Sequence, residues 1–129
     1  MKKYIVYTKE KGKIETDNWR DFECLTWHIE DGPAYQEFHD NGQLFHEEYY
    51  INGKLHRLDG PAYQRFYDTG QLYYESYYIN GKMHRLDGPA FKEFYDNDKL
   101  NHAKYYINGK CYNKSDYDAE IFKMKLALL

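Results

Sequence analysis

Cysteine and proline are scarce, with two of one and three of the other in 129 residues. Cys24 and Cys111 stand far apart, outside any Cys-x-x-Cys pair, so neither a disulfide framework nor a zinc cluster is indicated and a reducing compartment is expected. No apolar run approaches the ~18 residues of a membrane span. The one near the N-terminus, Tyr4 to Tyr7, is too short for a signal peptide, so the expected location is cytoplasmic. Neither sign of charge dominates: 18 Lys and Arg face 21 Asp and Glu, a net charge of -3, which excludes duplex binding by bulk phosphate neutralisation. Gly-x-Ser-x-Gly, a Gly-rich phosphate loop and His-Glu-x-x-His are all missing, so no enzyme and no cofactor are expected.

What is abundant is tyrosine, 16 residues in all, in a chain whose mean hydropathy is only -0.99. Such aromatic content excludes a disordered chain. The length fits one domain.

Self-similarity organises the sequence. Asp31-Gly32-Pro33-Ala34 returns as Asp59-Gly60-Pro61-Ala62 and as Asp87-Gly88-Pro89-Ala90, a period of 28 residues. Residues 31–58 and 59–86 share 21 of 28 positions, and residues 59–86 and 87–114 share 14, the decay typical of a terminal repeat. Residues 1–30 read as an N-terminal β cap, 31–114 as three repeats and 115–129 as an amphipathic capping helix, all in one domain. Within a repeat, 33–40 and 43–51 read as strands joined by a tight hairpin at Asn41-Gly42. A second reversal falls at Asn52-Gly53, where positive φ is tolerated. The fold class is therefore all-β with a C-terminal helix, a single-layer twisted antiparallel meander of hairpin repeats. Phe38, Phe66 and Phe94, with Leu44, Leu72 and Leu100, hold their repeat positions and are the expected buried seam. In the tail Ser115 reads as the N-cap, and Tyr117, Ile121, Met124 and Leu128 form an apolar helix face suited to covering the last repeat.

The stretch Tyr49-Tyr50-Ile51-Asn52-Gly53-Lys54-Leu55-His56-Arg57, repeated from Tyr77 to Arg85, resembles the MORN repeat family, in the NGKLHRLDGPA form seen in bacterial, phage and giant-virus proteins. The resemblance covers residues 28 to 112. It departs from the common unit in its 28-residue length and in Asp-Gly-Pro where that unit has Gly-x-Gly. It implies a single-layer sheet used as an interaction surface for a membrane or a partner rather than for catalysis, and it carries over no catalytic residue.

Several residues are candidates for partner binding. Tyr49, Tyr77 and Tyr105 form one ladder and Tyr50, Tyr78 and Tyr106 another on the opposite face, each stepping by roughly 10 Å per repeat from ~4.8 Å strand spacing. Glu47 and Glu48 are read as exposed acidic charges beside them. His56-Arg57 and His84-Arg85 form the edge loops. Successive copies are too far apart for His28, His56 and His84 to share a metal, and each imidazole is expected to hydrogen-bond the loop holding Asp31, Asp59 or Asp87. The expected function is a non-catalytic protein-binding module. Its finer form is a phage-encoded, anti-CRISPR-like or other anti-defence inhibitor that occupies the surface of a bacterial immunity effector. Alternatives are an antitoxin-like or scaffold protein, and single-stranded RNA binding on the tyrosine ladders, with nucleic acid less favoured. No membrane partner is expected, and a homodimer through the C-terminal helix is a further option.

Overall fold

A computed structural model describes residues 2–129. Among the described residues there are thirteen strands and one α-helix: β1 Lys3–Thr8, β2 Gly12–Thr16, β3 Tyr35–Phe38, β4 Leu44–Glu48, β5 Tyr50–Ile51, β6 Lys54–Leu55, β7 Tyr63–Phe66, β8 Leu72–Ser76, β9 Tyr78–Ile79, β10 Lys82–Met83, β11 Phe91–Phe94, β12 Leu100–Ile107, β13 Lys110–Tyr112 and α1 Lys114–Ala127. A 3-10 turn spans Trp19–Asp21. Nine strands form one open, antiparallel sheet in the order β13-β12-β11-β8-β7-β4-β3-β1-β2. The meander is as expected from the repeat. At its start, however, β1 lies inside and β2 at the edge, because the chain from β2 crosses back over the face before entering β3.

Each repeat contributes a main-sheet hairpin and a small arm. The arm closes through Asn52-Gly53, where φ is 51° and 76°, between paired Ile51 and Lys54. Two successive positive φ values make the two-residue turn that matches strand twist. The main hairpin differs from expectation: Phe38 pairs with Leu44 and the loop between them is closed by His39 N–H donating to Gln43 O at 2.7 Å, so Asn41-Gly42 is not a two-residue turn. Asn41 instead accepts the Gln43 amide on its side chain at 2.9 Å. A β-bulge follows in every copy, at Glu37/Phe38, Arg65/Phe66 and Glu93/Phe94, which leaves Phe45, Tyr73 and Asn101 as the extra residues. A bulge places two successive side chains on one side. Simple alternation therefore fails there, and one face gains a ring in the first two copies.

The expected Phe and Leu seam is not the core. Phe38, Phe66 and Phe94 are half-buried and Leu100 is exposed. The positions with zero exposure in all three copies are Ala34, Ala62 and Ala90. Ala62 donates to Ser76 O at 3.0 Å and accepts from Tyr49 N at 2.7 Å, so it is held where β8 and the β4–β5 junction meet, and only a methyl fits. The larger apolar cluster, Tyr4, Val6, Phe22 and Tyr35 with Ile14, Leu25 and Trp27, lies under the N-terminal cap. A one-layer sheet has no opposing layer to cover side chains near its hairpin tips.

The helix is capped by Asn113, not Ser115: the Asn113 side chain accepts from the Asp116 amide at 2.8 Å. Of the expected apolar face, Tyr117 is buried and Ile121 and Met124 half-buried, while Leu128 is exposed. No helix among the described residues is long and apolar enough to cross a membrane. Ala62→Leu is expected to overpack the strand junction and cost about 1–3 kcal/mol, read as a lower urea midpoint with an unchanged slope.

Candidate functional site

Each expected site residue must be assigned to architecture or to free surface, and the histidines are architectural. Nδ1 of His28, His56 and His84 accepts the backbone N–H of Asn52, Asn80 and Asn108 at 2.8, 3.0 and 2.9 Å. The Nδ1 partner is thus the Asn-Gly turn one arm further on rather than the Asp loop expected from sequence, although His28 also meets that loop through Nε2, 3.0 Å from Glu30 Oε1 beside Asp31. The Gly beside it donates as well: Gly53, Gly81 and Gly109 N–H reach the carbonyls of Trp27, Leu55 and Met83 at 3.0, 2.8 and 2.8 Å. Two adjacent amides of every turn are so clipped to the preceding copy.

The arginines are architectural too. Arg57 Nε donates to Asp59 Oδ1 at 3.0 Å and Nη1 to Pro61 O at 3.1 Å, while the guanidinium lies 4.0 Å from the Tyr49 ring centroid. Arg85 repeats this with Asp87, Pro89 and Tyr77, again at 4.0 Å from the ring. The folded-back guanidinium explains Gly60, since a Cβ there would sit 2.8 Å from Arg57 Cζ. In the third copy no arginine is left, and Tyr117 of α1 packs on Tyr105 at 4.7 Å between centroids. Its hydroxyl donates to Arg85 O at 2.7 Å and accepts from Gly88 N at 3.2 Å.

Tyr50, Tyr78 and Tyr106 lie half-buried on the other face. With them runs a ring ladder across the strands, Tyr35, His46, Tyr63, Tyr74, Phe91 and His102, with neighbouring centroids 4.6–5.8 Å apart. Polar groups are enclosed in its first copy. Tyr35 OH donates to Glu37 Oε1 at 2.7 Å and Tyr50 OH to Glu48 Oε1 at 2.9 Å. His46 Nε2 lies 3.3 Å from Glu48 Oε2 without hydrogen-bond geometry. Glu48 is buried, which corrects its reading as a solvent charge, whereas Glu47 is half-buried and accepts from Gln36 Nε2 at 3.2 Å. Burial pushes the Glu48 carboxyl up to about 7 and the His46 imidazole down to about 4, because each loses hydration of its charged form.

What remains free is the edge of the Leu-Asp-Gly loops. Leu58 is 82% exposed and Leu86 47%, in a segment where a loop needs no apolar residue. The side chains of Asp59 and Asp87 are 87% and 86% exposed. A shallow groove of about 550 Å³ runs beside Leu58 past Ile29, Tyr49 and Ile51. A second, about 410 Å³, lies between Leu86 and the Tyr117, Ile121 and Phe122 side of α1. The sequence pointed to the HRLDG loops on this edge as one of two candidate surfaces, through His56-Arg57 and His84-Arg85, without singling out Leu58 and Leu86; the available signal was a leucine held between Arg and Asp in two polar loops.

No family model, no curated protein and no solved structure matches this chain.

Two outcomes follow from this geometry. His56→Ala leaves the Asn80 amide without its acceptor, so its hydrogen exchange accelerates and stability falls by about 1 kcal/mol. For Glu48 the folded pKa of about 7 lies above its ordinary 4.5, so stability declines as pH rises through that interval. For His46 the folded pKa of about 4 lies below 6.5, so stability declines as pH falls through that one, and the two trends oppose each other. Glu48→Gln removes the first trend: the variant gains on the order of 2 kcal/mol over wild type at pH 8, and the gain vanishes near pH 4.5, as read from urea midpoints at both pH values.

Proposed function

We propose that this chain is a non-catalytic protein-binding module that holds its partner along the edge formed by the Leu-Asp-Gly loops. One observation carries the reading: Leu58 and Leu86 occupy the same repeat position and are both exposed, whereas the adjoining arginines and histidines are engaged within the protein. An exposed leucine beside an exposed carboxylate, whose Oδ1 is held by the preceding arginine and whose outer oxygen faces solvent, repeated one copy later, offers an apolar anchor flanked by a polar group that sets register. Phe122, 63% exposed at the adjacent groove, extends the strip onto α1.

The geometry favours this edge over the tyrosine faces. Single-stranded RNA binding needs ring faces open to bases, and those of Tyr49 and Tyr77 carry Arg57 and Arg85. The finer reading, a phage-encoded inhibitor seated on a bacterial immunity effector, rests on the resemblance of the NGKLHRLDGPA repeat. An antitoxin-like or scaffold partner would use the same edge.

The test is affinity capture from the native host with three baits. Wild type retains a partner in stoichiometric amount, Leu58→Lys with Leu86→Lys loses it at an unchanged melting temperature, and Glu47→Lys keeps it. Retention by the double leucine variant would refute the loop edge as the binding surface.

A further inference from the structure

The two ends of the sheet are finished differently. At one end α1 packs against β12 and β13. At the other, among the described residues, β2 pairs with β1 alone. Open strand edges normally recruit another strand unless blunted.

The pairing register shows which backbone groups β2 presents. Tyr7 N–H donates to Ala34 O at 2.8 Å and Tyr7 O accepts from His28 N at 2.9 Å, so Tyr7 directs both groups away from β2. Tyr7 faces Lys13, and two residues along Ile5 faces Glu15. In an antiparallel ladder such non-hydrogen-bonded pairs alternate with bonded ones. Lys13 and Glu15 therefore point their N–H and C=O groups out of the sheet, into solvent.

We infer that β2 is a self-complementary edge through which two copies of this chain pair antiparallel about Ile14, extending the sheet into a symmetric dimer. In this register Lys13 lies opposite Glu15 of the second copy, Ile14 opposite Ile14, and Glu15 opposite Lys13. Both outward-facing residues meet outward-facing residues, so each Lys13–Glu15 pair exchanges two N–H···O bonds. Their side chains share one face, as the 2.9 Å contact of Lys13 Nζ with Glu15 Oε1 within a copy demonstrates, and both are about half exposed. Pairing sets four charges of alternating sign on that face. Ile14 lies on the opposite face, against the Tyr4, Val6, Phe22 and Tyr35 cluster, and its meeting with Ile14 of the second copy continues that apolar strip. The symmetry is isologous, so growth stops at two.

A pairing of two short strands buries less than a standard interface, so the dimer belongs in the micromolar to millimolar range and is read by sedimentation equilibrium at high concentration. Wild type dimerises. Lys13→Glu and Glu15→Lys each set like charges across the new ladder at two places, and each raises the dissociation constant by about tenfold. The double variant Lys13→Glu/Glu15→Lys restores opposite charges and recovers the wild-type constant. Circular dichroism confirms that every variant is folded. A strictly monomeric wild type, single variants that dimerise like wild type, a double variant no better than the singles, or open-ended polymers would each overturn the inference. Loss of the dimer on Phe122→Lys with Leu126→Lys, at the exposed side of α1, would assign it to the helix instead and equally overturn it.

Discussion

The clip between one arm's Asn-Gly turn and the histidine of the preceding copy is the constraint on which the rest depends. A strand pair of two residues has no independent stability. Here each arm is held because two consecutive turn amides, unavailable to the arm's own ladder, find Nδ1 of a histidine and the carbonyl just before it. The left-handed backbone at Asn52, Asn80 and Asn108 aims both amides the same way. The arms are further laced by Arg57 N–H to Tyr78 O and Arg85 N–H to Tyr106 O, both 3.1 Å. A second ribbon thus runs beside the main sheet, and the tyrosines at the junction between the two have their environments set by it.

The same logic explains how the array ends. One period after His84 and Arg85 stand Tyr112 and Asn113. Tyrosine has no ring nitrogen to accept a turn amide, and Asn113 accepts the Asp116 amide and starts a helix. Tyr117 then takes the place over Tyr105 that a guanidinium holds over Tyr49 and Tyr77. The helix therefore replaces a fourth copy, in keeping with the need of repeat arrays for distinct terminal units.

Dividing the repeated polar residues by what they touch separates scaffold from surface. His56, Arg57 and the ring of Tyr49 shape the loop, and Gly60 makes room for it. Leu58 and the outer face of Asp59 have no such duty. A residue type repeated at a fixed interval is thus poor grounds for assigning function, because structural clips recur at the same interval. In a one-layer sheet both faces carry rings, and polar side chains such as Glu48 become enclosed where rings from adjacent strands close over them.

The sequence alone determined the period, the antiparallel meander, the arm turn at Asn52-Gly53 and the helical ending, because each follows from local preference: glycine and asparagine at positive φ, alternation along strands, and a tail free of Gly and Pro. It also placed Tyr49 and Tyr50 on opposite faces. The bulge at Phe45, the zero exposure of Ala34, the position of β2 outside β1 and the partner of each histidine were decided only by tertiary structure. Those depend on which segment lies alongside, and the distance along the chain from His28 to Asn52 carries no information about contact until the arms are stacked.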